Sequence, residues 1–321
     1  MSRIALIVGI DQYDNFRNLS SCVNDAYEME KMLKRHWNGD KNYECERLSS
    51  DTQTVTTATL RGAVKKTLRD VTGGDVVIYF SGHGVASETG GFLVSQNGEK
   101  DDEGFPMSEL MRYANQSKAD STLLILDCCQ SGELGNTDDS PYLNQVTLSE
   151  GVTILAASSA KQKAQEGLEN SLFTALVLSA LDGGAADIRG KVSAASIYAY
   201  VEQNCTAWQQ RPMYKSHAMK LNEIRQCEHS VEDNLLRELP KLFRRGPTEQ
   251  FKMDPTYEKS LKEILIPENV EKFNKFKSLR NARMLTTQDS RDLYDCALEE
   301  LWVQLTPLGQ LYWKLAKNDQ I

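Results

Sequence analysis

The chain of 321 residues exceeds the roughly 100–200 residues of one typical domain, so two domains are expected. Its net charge of −8 and pI near 5.2 exclude a general electrostatic attraction to nucleic acid or to a membrane surface. Seven cysteines, without regular spacing and with Cys128 and Cys129 adjacent, argue against a disulfide framework and for reduced thiols in a cytoplasmic setting.

The first ten residues, MSRIALIVGI, hold one basic residue and an apolar run too short for a signal peptide or a membrane span, and they read as a buried strand. From there to residue 225, apolar β-rich runs at 4–8, 43–48, 75–80, 122–126 and 152–156 alternate with amphipathic stretches at 23–36, 56–71, 107–114, 171–181 and 194–204. This alternation predicts an α/β fold, a mostly parallel sheet sandwiched by helices. The strand runs are apolar without alternation, which predicts burial on both faces. Between Gly132 and Gly151 the polar stretch ELGNTDDSPYLNQVTLSE reads as a surface loop and contains no Lys or Arg.

Residues 226–256 read as a linker, because Arg244-Arg245-Gly246-Pro247 and Asp254-Pro255 interrupt weak helical patterning. Residues 257–321 read as a small, mainly α-helical domain with helices at 257–265, 267–279, 290–304 and 308–317. Phe273, Phe276, Leu279, Leu293, Leu298 and Leu305 are among the apolar side chains at helical spacing that would form its core. Residues 226–321 carry 15 Lys and Arg against 16 Asp and Glu, too even a balance for a phosphate-binding face. A nucleic-acid partner is therefore not expected, and a regulatory protein partner fits better.

Two motifs stand where apolar strands end: Tyr79-Phe80-Ser81-Gly82-His83-Gly84, and Asp127-Cys128-Cys129-Gln130-Ser131-Gly132. Open α/β sheets build their sites at strand carboxyl ends. A cysteine nucleophile needs a base or an imidazolium beside it, since the thiolate is the reactive species. Cys128 and Cys129 point to opposite sides if the strand runs through both.

Together the motifs resemble the His and Cys signatures of the caspase-like cysteine peptidases, closest to the metacaspase and prokaryotic branch, over residues 1–225. The resemblance implies that Cys129 is the nucleophile and that His83 donates a proton to the leaving amine. It implies that the backbone amides of Gly84 and Cys129 form the oxyanion hole, and that no metal or cofactor enters the chemical steps. It places Asp25, within Cys22-Val23-Asn24-Asp25-Ala26, and Asp127 in the pocket for the residue before the cut, where two carboxylates would favour Arg or Lys. Ser158, in Ala156-Ala157-Ser158-Ser159, becomes a substrate contact or an ordinary turn cap.

Many relatives of this type are switched by calcium, and Asp101, Asp102 and Glu103, with Asp138 and Asp139 as a second pair, offer oxygens; consecutive acids also make solvated turns. Since the loop after the nucleophile lacks a basic residue, Arg244 and Arg245 are the candidate self-cleavage site, or simply a basic patch on a connector. The functional expectation is a cysteine endopeptidase acting on a protein substrate in a prokaryotic stress or antiviral defence pathway. The alternatives are an inactive caspase-like scaffold that recruits partners and a thiol transpeptidase on the same fold.

Overall fold

Four of the apolar runs become the middle of one sheet. Strands β1 (Arg3–Gly9), β3 (Asp75–Ser87), β6 (Ser121–Gln130) and β7 (Val152–Ala156) lie side by side and parallel. Strand β2 (Glu44–Ser49) runs parallel outside β1, and β9 (Met213–His217) runs antiparallel beyond β7. The computed structural model describes residues 2–87, 90–130, 147–157, 170–205, 212–218, 222–260 and 266–321, and the side chains of 87, 129 and 130 lie outside that description.

The sheet is buried on both sides because alternate residues of each strand feed separate cores. Leu6, Val8, Ile78, Phe80, Leu124 and Leu126 face helices α2 (Thr57–Arg69) and α3 (Met107–Gln116) through Leu60, Leu68 and Leu110. Ala5, Ile7, Val77, Tyr79, Leu123 and Ile125 face α1 (Cys22–Lys34), α4 (Leu172–Ser179) and α5 (Ala194–Asn204) through Met29, Leu33, Val177, Ile197 and Val201. Burying each such side chain stabilises the fold by about 1.5–3 kcal/mol relative to leaving it exposed. The period of two along a strand thus turns an unbroken apolar run into two cores.

Two departures from the sequence reading bear on the site. β3 and β6 do not stop before their motifs: β3 runs on through His83 to Ser87, and β6 through Cys129 to Gln130. The extension of β3 is paired by an unanticipated antiparallel hairpin, β4 (Gly90–Glu99) and β5 (Asp102–Pro106). Short β8 (Lys191–Ser193) and β10 (Glu223–Gln226) form a separate antiparallel pair.

The chain divides into two compact units, residues 1–186 with 191–227, and residues 187–190 with 228–321. Residues 226–256, expected to be a linker, instead hold helix α6 (Asp233–Leu242) and strand β11 (Phe251–Lys252). Leu236, Leu239, Leu242 and Phe243 join the second unit's core, since the amphipathic pattern of DNLLRELPKL prevails over the Pro240 inside it. That unit continues with α7 (Pro267–Asn281), β12 (Leu285–Thr287), α8 (Leu293–Leu298), β13 (Trp302–Leu305) and α9 (Pro307–Lys317). Its helices are accompanied by a three-stranded antiparallel sheet in the order β11-β13-β12. The helix expected over 290–304 breaks at Glu300, whose φ of 51° is left-handed, and Trp302–Leu305 alternates half-buried with buried as a strand does. Among the described residues no helix is long and apolar enough to cross a membrane.

Candidate active site

His83 and Cys129 are register partners on the parallel strands β3 and β6, as are Gly82 with Cys128 and Ser81 with Asp127. The two motifs, 46 residues apart, are thereby side by side through backbone pairing alone. The His83 imidazole Nε2 lies 2.7 Å from the Arg17 carbonyl oxygen. A carbonyl can only accept, so Nε2 carries the proton and a neutral ring keeps Nδ1 free to accept one. The ring is flanked by Tyr13 at 4.8 Å and Phe16 at 6.3 Å between centroids, and the His83 N–H donates to Tyr13 Oη at 2.8 Å. Cys128 is buried in the core on the α2 and α3 side, as a small apolar residue would be.

Asp25 and Asp127 meet on the other face of the sheet. Asp11 holds the start of α1, its Oδ1 accepting from Cys22 N at 2.8 Å and its Oδ2 from Val23 N at 3.2 Å. The first turn of α1 then presents Asp25, fully buried, to the Ser81 hydroxyl at 3.0 Å, Asn170 Nδ2 at 2.8 Å and Ser171 N at 3.1 Å. Asp127 accepts from the Ser171 hydroxyl and from Thr174 Oγ1, the latter at 2.5 Å. None of these donors carries a charge. Burial, reinforced by the nearby Asp127 carboxylate, pushes Asp25 up to about 7, and burial pushes Asp127 up as well. Among the described residues the two carboxylates thus share a buried site with neutral donors alone, which favours a proton or a cation beside them.

The two carboxylates and the two motifs are legible in the sequence, but the side chains that hold them are largely not. Tyr13, Arg17 and Asn170 act through one hydroxyl, carbonyl or amide each and have no spacing pattern to betray them, while Ser81 lies within the His motif and Thr174 within the predicted helix, neither marked there as a partner of the carboxylates. Ser171 stands where the sequence places a helix start, and it caps α4 by accepting from Thr174 N at 3.1 Å.

The remaining candidates fall elsewhere. Asp101, with φ of 73°, and the neighbouring Asp102 and Glu103 make the turn and first residues of the β4–β5 hairpin. No group of three or more His, Cys, Asp or Glu suited to a metal occurs among the described residues. Ser158, Asp138 and Asp139 lie outside the described residues. Arg244 and Arg245 are exposed in the turn between α6 and β11, within the folded second unit and directly after the buried Phe243. Arg244 Nε donates to Lys241 O and Arg245 N to Glu249 Oε2, so the pair belongs to an ordered turn instead of an extended connector.

A mostly parallel sheet between two helical layers, with His and Cys motifs abreast on adjacent strands, defines the class as the fold of a caspase-type cysteine peptidase. The family model described as "Caspase domain" matches residues 2–222, and the chain belongs to that family. Among solved structures it is similar to protein GSU0716 from Geobacter sulfurreducens, with 17% identity and a TM-score of 0.52 over 71% of this chain and 100% of that one. It is also similar to caspase-1 from Spodoptera frugiperda, with 14% identity and a TM-score of 0.50 over 70% of this chain and 91% of that one. No curated protein matches the chain.

Proposed function

We propose that the protein is a cysteine endopeptidase that cuts protein substrates after Arg or Lys, with Cys129 as nucleophile and His83 as proton carrier. The observation that carries this reading is the buried Asp25 and Asp127 pair, whose hydrogen-bond donors among the described residues are all uncharged, on a helix and a strand beside the two motifs. A guanidinium entering next to the pair brings a positive charge to it through charge-assisted hydrogen bonds. The Cys129 thiolate attacks the scissile carbonyl and a thioester forms. His83 Nδ1 takes the Cys129 thiol proton and, as imidazolium, gives it to the departing amine; water then attacks the thioester as Nδ1 accepts a proton from it, and the expelled thiolate recovers that proton from the ring. The amides of Gly84 and Cys129 serve the oxyanion. We read the second unit as the part that binds a regulatory protein, in keeping with its near-neutral charge, and a defence or stress role as the setting.

Fluorogenic peptides ending in Arg, Lys or Asp test the reading directly, with and without calcium. Turnover of Arg or Lys peptides that disappears in Cys129→Ala and in His83→Ala is the expected result. Cleavage after Asp overturns the acidic pocket, and joined products on addition of an amine nucleophile point to a transpeptidase.

A further inference from the structure

The hydrogen-bond ladder along β3 has a gap, and a single side chain fills it. β1 accompanies β3 as far as Ser81, whose carbonyl accepts from Ile10 N at 3.0 Å, and β4 takes over from Gly84, paired with Leu93. The His83 N–H falls between the two neighbours. A part-buried N–H left unsatisfied is costly, and here it donates to Tyr13 Oη at 2.8 Å. Tyr13 is itself buried, and its ring sits 4.8 Å from the imidazole with 48° between the planes.

The loop that brings Tyr13 in is fastened on several sides. Asp11 N donates to Ser50 Oγ, Tyr13 N to Asn18 Oδ1 at 2.9 Å, and Leu19 N to Asp11 O. Asp14 N and Asn15 Nδ2 donate to the Gln96 and Gly98 carbonyls of β4 at 2.9 and 3.1 Å. The same loop provides the Arg17 carbonyl to His83 Nε2. Gly82 makes room for the phenol: a Cβ there would stand 2.7 Å from Tyr13 Oη.

We propose that Tyr13 is a positioning residue for His83, its hydroxyl standing in for the β1 partner that the His83 N–H lacks. The contact fixes the backbone from which the imidazole projects and, one residue on, the direction of the Gly84 N–H. A β1 continued past Ile10 would offer an equivalent acceptor but would occupy the edge of β3 that β4 uses from Gly84 onward. The inference rests on His83 and Cys129 being the working dyad.

The test compares the full chain with Tyr13→Phe, Gly82→Ala and the double variant, and uses Tyr113→Phe as the control for loss of a buried phenol whose hydroxyl donates to Glu109. Two readouts are taken: cleavage of an Arg peptide, and the pH dependence of Cys129 alkylation by iodoacetamide followed by mass spectrometry, which needs no turnover. Tyr13→Phe is expected to lower kcat about tenfold or more with KM changed by less than about twofold, and to displace the alkylation profile. Gly82→Ala is expected to reproduce the loss and to add less than about twofold in the Tyr13→Phe background, because methyl and hydroxyl compete for one space. Equal kcat and an equal alkylation profile in Tyr13→Phe and Tyr113→Phe overturn the positioning role alone. A wild type that cleaves no peptide and whose Cys129 alkylation is indifferent to His83→Ala overturns the dyad, and this inference with it.

Discussion

Asp25 combines the burial of a core residue with the charge of a site residue, and the two demands oppose each other. In the unfolded chain its carboxyl titrates near 3.8, and in the fold near 7. Between those values the native state holds a proton the unfolded chain has released, so stability falls as pH rises through the window, and the penalty stays in full above it. Asp25→Asn keeps the acceptor for Asn170 and Ser171, lets its amide donate to the Ser81 hydroxyl, and carries no charge. The variant is expected to melt above the wild type by a margin that grows from pH 5 to pH 8, while its kcat/KM for Arg peptides collapses; a margin that shrinks with pH contradicts the buried-charge account. In the wild type, KM for Arg peptides is expected to rise as pH drops below about 7 and Asp25 takes up its proton. Cys128→Ala should cost about 1 kcal/mol in chemical denaturation for its lost packing and leave Arg cleavage in place, in contrast to Cys129→Ala. Asp25 and Asp127 are legible through the resemblance of the segments around them to the family's, one in the first turn of α1 and one in the motif on β6. The hydroxyls and amides that hold them are not, since any Ser, Thr, Asn or backbone N–H could have served.

Where an element starts decides where its side chains point. Gly9 allows α1 to lie against β1: an added Cβ would meet the Cys22 carbonyl oxygen at 2.2 Å and Ala26 Cβ at 2.7 Å. Gly9→Ala is therefore expected to cost about 1–3 kcal/mol or more and to raise KM for Arg peptides by displacing the turn that carries Asp25. Asp11→Ala removes the cap of the same helix and should cost about 1 kcal/mol, again read as a lower melting temperature and a higher KM. The central strands and most flanking helices could be read from periodicity because burial dictates it; β7 and α5 have the bounds the sequence suggested. The β4–β5 hairpin could not, because GGFLVSQNGE is rich in turn formers. Its polar Ser95 and Gln96 are buried by partners far along the chain, Thr57 for one and Val55 for the other. Gly82 and Gly84 continue the strand without turning it, and Gly82 answers to a close neighbour instead of a left-handed backbone.

At the scale of the molecule, separate cores predict separate melting. Phe276 is fully buried among Phe243, Phe251 and Leu279 in the second unit, so Phe276→Ala should cost about 3–5 kcal/mol there. Calorimetry is expected to show one transition lowered and another unmoved, and a uniform shift would indicate a single cooperative fold. The helical character of the C-terminal third was readable from its apolar spacing, whereas the break at Glu300 and the strand after it depended on one left-handed residue. Its true beginning was hidden still more deeply, because four of its residues come from before residue 191. Ile188 packs in the second core, its carbonyl accepts from Ser230 N and Val231 N, and Arg189 pairs with Asp233 at 2.8 Å. The C-terminal portion is consequently not a portable cassette: a graft cut at residue 228 leaves behind a hydrophobic plug and a guanidinium that its own helix expects, and a chimera has to bring 187–190 along or rebuild them.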